Sequence, residues 1–296
     1  MLGTLIYLIQ VLSTYLTSFA QVIQYIKKIA STKYEIDTYF EFAEETNGEP
    51  NREKSGKNPF GKIILKNVDF EYRNRMLLQN VSIAINPGEK ILIVGENGSG
   101  KSTLLNIILG LLQPTRGEVD VGANKIALMS QESYKFNISI RENIIFSKEK
   151  NRDGLILDVL KKLKALSFVG RLQKGLDTRI GTSLYDDGID VSGGEAQKIV
   201  AARTLLNNAD VWIFDEPVAA MDPSSEYSFF NTVLEGDCKS NTMIFVSHRL
   251  EIVSKMSRII YLEKGKILAI GTHQQLMTEC EKYHQYYMSW LMTEND

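Results

Sequence analysis

Two stretches of the chain carry side chains suited to work on a phosphate chain. The first, GENGSGKS, runs from Gly95 to Ser102, behind the apolar run KILIV and ahead of STLLNIILGLL. Gly98 and Gly100 let the backbone curl so that successive N–H groups point inward, a concavity that suits phosphate oxygens. A helix opening near Lys101 adds the positive end of its dipole. From that position the Lys101 ammonium reaches the β- and γ-phosphates, and the Ser102 hydroxyl ligates Mg²⁺. Gly95, Glu96, Asn97, Ser99 and Thr103 complete the cradle. The second stretch, VWIFDEP, ends an apolar strand in two adjacent acids, Asp215 and Glu216. Parallel sheets bind their ligands at the carboxyl ends of strands. Asp215 is then placed to hold the metal, and Glu216 to polarise an attacking water. Alone, two acids at a strand end read equally well as a solvated turn; the phosphate loop in the same chain favours the catalytic reading.

Positioning such groups takes a sheet with helices around it. KIILKNVDFEY and NVSIAI alternate apolar and polar residues and predict an antiparallel entry sheet. KILIV, KIALMS, DVWIFD and NTMIFVS are short continuous apolar runs, the pattern of strands covered on both faces. STLLNIILGLL, EAQKIVAARTLLN and EYSFFNTVL, lying between them, read as helices. Strands with intervening helices predict an α/β core with a largely parallel sheet.

Composition sets outer limits. The 296 residues hold 44% hydrophobic and 24% charged side chains with a net charge of -2, so bulk electrostatics do not favour nucleic acid as a partner. Cys238 and Cys280 match no metal-ligand spacing and form no disulfide framework, which fits a reducing compartment. From Met1 to Ile26 there is no charged residue, although Gln10, Ser13, Thr14, Thr17, Ser18, Gln21 and Gln24 dilute the stretch. Helical, it would reach roughly 39 Å, enough to cross hydrocarbon. It lacks the basic start of a signal peptide. Lys27, Lys28 and Lys33 would put its far end in the cytoplasm, and the polar residues would face a cavity or other helices. Apolar residues at helical spacing carry the helix on to about Glu45. Gly, Pro and Asn then mark a linker from Thr46 to Pro59, so residues 60–296 read as a separate domain.

VSGGEAQ, from Val191 to Gln197, narrows the reading. It resembles the signature of ATP-binding cassette (ABC) proteins, and it precedes Asp215 by one helix and one strand, as in that family. The resemblance covers nearly everything after Phe60. It implies a P-loop ATPase fold with an antiparallel β subdomain and a helical subdomain. It also implies ATP and Mg²⁺ as cofactors, and two such domains facing head to tail as a homodimer or heterodimer. Each ATP would then sit between one phosphate loop and the partner's Ser192, Gly193 and Gly194. By the same resemblance Tyr72 stacks on adenine, Gln131 touches Mg²⁺ and water, His248 contacts the γ-phosphate, and Asp222 serves the domain contact.

IRENI, GLDTRIG and SHRLEIVSKMSRIIYLEKGKILAIGTHQQL are similar to the exporter branch of the family, whose ATPase follows six membrane helices. The N-terminal stretch resembles the last of these helices and its cytoplasmic extension. The other helices would come from outside this chain or from a separate subunit, with the ATPase on the cytoplasmic side of the cell membrane and an unidentified substrate exported. Three departures stand out. Ala219 replaces a usual serine in VAAMD, Glu195 replaces Gln in the signature, and Thr182 to Tyr185 look inserted ahead of it. Competing readings are a soluble ABC-type ATPase acting on nucleic acid or ribosomes, and a catalytically weak ATP-binding module. The N-terminal span argues against the first, and the joint presence of Lys101, Ser102, Asp215, Glu216 and His248 against the second.

Overall fold

The computed structural model of the chain describes residues 61–131, 134–182, 187–207, 209–236 and 241–294. The expected membrane helix (1–45), the linker (46–59) and most of the expected insertion lie outside these residues. Among the described residues no helix is long and apolar enough to cross a membrane.

The alternating segments form a hairpin. β1 (Ile63–Tyr72) and β2 (Arg75–Ile85) pair antiparallel, joined by Arg73 and Asn74 at φ 48° and 60°. Positive φ at both central residues is what a two-residue type I′ turn requires. β4 (Arg116–Val121) adds to the other edge of β1, giving the order β2-β1-β4.

The continuous apolar runs build a second sheet. Its strands are β3 (Lys90–Val94), β5 (Ile126–Met129), β6 (Val211–Asp215), β7 (Thr242–Val246), β8 (Arg258–Glu263) and β9 (Lys266–Gly271). They lie in the order β5-β6-β7-β3-β8-β9, all parallel except β9, which turns back on β8. Side chains alternate across a strand, so these runs must bury both faces, and they do. Ile91, Ile93, Val211, Ile213, Ile244 and Val246 pack on one side, with Leu104, Leu105, Ile107 and Ile108 of α1 (Lys101–Ile108) and the inner residues of the hairpin. Leu92, Val94, Trp212, Phe214, Met243 and Phe245 pack on the other side. There Phe214 stacks on Phe245 at 4.8 Å between ring centroids and meets Phe229 edge-on at 5.7 Å, geometries worth roughly 0.5–1.5 kcal/mol each beyond the area buried.

α1 stops before its apolar run does. Gly110, at φ 73°, sends its N–H back to the Ile107 carbonyl at 3.0 Å, and the Leu111 N–H returns to Asn106, so the chain turns out of the helix there. A helical portion follows β5: α2 (Ile140–Ile145), α3 (Asp153–Lys162) and α4 (Leu166–Gly170). Buried Arg141 pairs there with Asp153 at 2.7 Å and with Asp177. α5 (Gly193–Leu205), α6 (Pro223–Glu235), α7 (His273–Glu279) and α8 (Glu281–Glu294) complete the described chain. The expected helical and antiparallel parts thus both form around the parallel sheet.

The strand order has a direct consequence for chemistry. β5, β6, β7 and β3 are adjacent and parallel, so their carboxyl ends share one edge. Gln131, Asp215 with Glu216, His248 and the Gly95–Ser102 loop each follow one of those ends.

Candidate functional site

One cleft of about 290 Å³ opens at that edge, lined by Asn97, Gly98, Gly100, Lys101, Ser102, Thr103, Gln131, Asp215, Glu216 and His248, with Arg75, Leu77 and Val246. The loop before α1 is a close fit. Gly95 has φ 152°, and a Cβ there would lie 2.0 Å from the Leu262 carbonyl oxygen, so only glycine is accommodated. Gly98 and Gly100 also take positive φ, at 76° and 106°. α1 has no side-chain cap, so its first-turn N–H groups have no side-chain acceptor. The buried Ser99 hydroxyl has no hydrogen-bond partner among the described residues. An uncapped helix start and an orphaned buried hydroxyl together fit an anion with several acceptor oxygens. Glu96 and Asn97 are exposed on the loop.

Lys101 is 8% exposed and donates to the carbonyls of Gly95 at 2.8 Å and Glu96 at 2.9 Å. Burial pulls its ammonium below the usual lysine range, while the carboxylates of Glu216 and Asp215 pull it back up. Asp215 is raised by burial, against the nearby Lys101 charge. Glu216 is raised to about 7, mainly by burial and further by Asp215. It stands at φ 48°, in the left-handed region, with its N–H on the Val246 carbonyl at 2.9 Å. The His248 backbone N–H donates to Glu216 Oε1 at 3.0 Å. The His248 ring Nε2 is 3.6 Å from the same oxygen, and burial with the Lys101 charge holds the imidazole below its ordinary pKa. The ring is therefore neutral near pH 7, and this contact is not an ion pair. Ser102, Gln131 and Asp215 bring oxygen donors to one cleft, the hard-donor chemistry that Mg²⁺ prefers alongside phosphates. Among the described residues no cluster of three or more His, Cys, Asp or Glu forms a metal cage, so phosphate oxygens would have to complete such a shell.

The remaining expected site residues lie outside the lining of this cleft. Tyr72 is 49% exposed at the end of β1, with the Arg73 guanidinium 5.3 Å from its ring centroid, and it pairs in register with Arg75, which does line the cleft. Ser192 caps α5. Its Oγ accepts the Glu195 N–H at 3.3 Å, while Glu195 Oε2 accepts from the Ser192 N–H and Oγ at 2.9 Å each. Gly193 is the first residue of α5, and a Cβ on Gly194 would come within 2.8 Å of the Ala220 carbonyl oxygen. Asp222 caps α6: its carboxylate accepts from the Ser225 hydroxyl at 2.5 Å and from the Ser225 N–H at 3.0 Å, and this bonding holds its carboxyl below the usual range.

Three contacts follow from no motif's spacing. Arg249, next to His248, pairs with buried Glu226 of α6 at 2.5 Å. The Gly95 N–H points to the Tyr286 hydroxyl of α8, joining the far end of the chain to the phosphate loop. The Gln197 side-chain amide bonds to the main chain of Glu216 and Ala220. Residues distant in sequence or bonded to backbone leave no spacing to read; only the position of Arg249 beside His248 hinted at one of them.

Residues 78–219 match the family model described as ABC transporter. The nisin transport ATP-binding protein NisT of Lactococcus lactis subsp. lactis is 33% identical over 100% of this chain and 52% of its own length. The alpha-hemolysin translocation ATP-binding protein HlyB of Escherichia coli is 34% identical over 76% of this chain and 33% of its own length. The chain thus spans about half, or less, of these relatives. A solved bacterial Atm1-family ABC exporter with ATP bound aligns with a TM-score of 0.69 and 27% identity, covering 77% of this chain and 41% of that one.

Proposed function

We propose that the chain, whose residues 78–219 match the ABC transporter family model, is a member of that family and the ATP-hydrolysing part of an exporter, driven by ATP-dependent pairing of two such domains. The observation that carries this reading is the shared edge of β5, β6, β7 and β3, which delivers Gln131, Asp215, Glu216, His248 and the phosphate loop to one cleft.

In this mechanism the Lys101 ammonium exchanges the Gly95 and Glu96 carbonyls for the β- and γ-phosphates, joined by the N–H groups of the loop and the start of α1. Glu216, deprotonated above about pH 7, takes a proton from water as its oxygen attacks the γ-phosphorus. The bond to the β-phosphate oxygen breaks and ADP leaves. His248, neutral and beside Glu216, is placed at the γ-phosphate. Ser102, Gln131 and Asp215 would hold Mg²⁺, which when bound neutralises charge on the phosphate oxygens. Tyr72, on the exposed hairpin tip, would meet the adenine.

The start of α5 lies outside this cleft lining, which supports its service to a second copy's ATP, with Asp222 near the joint. We assign residues 60–296 to the ATP-binding domain, 46–59 to a linker and 1–45 to the last membrane helix and its extension. The match to NisT across the whole chain supports that division. Gln131 then couples closure to membrane helices, the ATPase faces the cytoplasm, and hydrolysis powers outward movement of a cargo.

Purified chain should hydrolyse ATP. Lys101→Ala should lose nucleotide binding, whereas Glu216→Gln should bind ATP and fail to turn it over. Brisk turnover by Glu216→Gln would overturn the assignment.

A further inference from the structure

Gln197 is 2% exposed in the second turn of α5, outside the cleft lining, yet its amide is engaged at both ends. Its Oε1 accepts the Ala220 N–H at 3.0 Å, and its Nε2 donates to the Glu216 carbonyl at 3.5 Å. One side chain therefore spans the segment from Glu216 to Ala220. The close approach of Gly194 to the Ala220 carbonyl presses the start of α5 on the same segment. Lys198 adds a third contact, 3.8 Å from Asp222 Oδ2. Glu216 meanwhile holds φ 48°, a conformation that glutamate keeps only where its surroundings impose it. A shift of α5 along its axis must then strain or move the Glu216 peptide.

We propose that Gln197 is a positioning residue that links two ATP sites: it ties the Glu216 of a protomer's own site to the helix whose start serves the facing site. The inference rests on the head-to-tail pairing proposed above. Engagement of Ser192, Gly193 and Gly194 by the facing nucleotide loads α5, and Gln197 passes that load to the carbonyl of Glu216. Each site thereby senses occupancy of the other. Both partners of Gln197 are main-chain atoms, so the link does not titrate.

The experiment is ATP hydrolysis by the full chain as a function of ATP concentration, with nucleotide affinity measured separately by a fluorescent ATP analogue on a Glu216→Gln background. Gln197→Met keeps length and volume but loses both bonds; Gln197→Glu keeps the acceptor and loses the donor. The parent should respond sigmoidally. Gln197→Met should bring the Hill coefficient to one and lower kcat by roughly 2- to 30-fold with affinity unchanged, and Gln197→Glu should fall between. A variant that folds with the parental Hill coefficient overturns the link, as does a hyperbolic parent or a loss confined to affinity. If Gln197→Met does not fold, Gln197→Glu decides by the same criteria. A parent with no hydrolysis overturns the proposed function itself, and the link with it.

Discussion

The His248 backbone N–H holds Glu216 Oε1 at 3.0 Å, while the His248 ring stays 3.6 Å from the same atom. The carboxylate is thus oriented by the end of β7, whatever side chain occupies position 248. His248→Ala should therefore leave Glu216 in place and lower turnover by roughly 10²- to 10³-fold, the cost of one lost donor at a developing charge. Glu216→Gln should cost at least as much. Single-turnover hydrolysis at saturating ATP compares the two, and a silent His248→Ala would remove the histidine from the mechanism.

The raised pKa of Glu216 predicts a pH profile with a definite sign. Burial and Asp215 make the free-enzyme carboxyl titrate at about 7, and only its deprotonated form accepts a proton from water. kcat/KM for ATP should rise with pH and level off above about 7, falling roughly tenfold per unit below it. Burial and the Lys101 charge hold His248 below its ordinary pKa, so its own titration lies below that of Glu216. A profile flat between about pH 5.5 and 8 would contradict the general-base role.

Glu195 puts a carboxylate at the start of α5, where the account places an anion. Glu195→Gln keeps an oxygen for the cap and removes the like charge. At roughly 0.3–1 kcal/mol per charge at a helix end, ATP-driven association should tighten by about 2- to 5-fold. Titrating association of the Glu216→Gln chain against ATP, with and without the second change, checks this. Unchanged or weaker association would indicate that no phosphate approaches that helix.

Arg249 and Glu226 predict a stability effect separable from catalysis. Glu226 is nearly buried and Arg249 about one-third exposed, so Arg249→Met removes an ion pair from a carboxylate that is largely out of water. The loss should be roughly 2 kcal/mol, below the 3–5 kcal/mol of fully buried pairs. Urea unfolding measures it, and adding Glu226→Gln should recover part of the loss. A silent Arg249→Met would show that the pair contributes nothing net.

Legibility in the sequence followed the range of the interaction. The place of Lys101 and Ser102 at a helix start was readable because a phosphate-loop pattern sets a strand, a glycine loop and a helix start in immediate succession. Val211–Phe214 were readable because a strand covered on both faces must be apolar throughout. The adjacency of β6, β7 and β3 was not readable, since runs of similar composition do not say which neighbours which. Gln197 was recognised only as part of a signature, because its partners are carbonyl and amide groups that every residue possesses. Glu226 and Arg249 lie on different elements, and nothing in their local context asks for a partner. The early end of α1 follows from Gly110, whose backbone conformation outweighs the apolar run around it.

The central claim is that ATP is gripped between the phosphate loop of one copy and Ser192, Gly193 and Gly194 of another. Cysteines at Asn97 and Ser192, in a Glu216→Gln chain with Cys238 and Cys280 changed to serine, test it by oxidative cross-linking. The account predicts a covalent dimer that forms with ATP and Mg²⁺ and is absent without nucleotide. A disulfide closed within a single chain, or the same dimer yield with and without ATP, would contradict it.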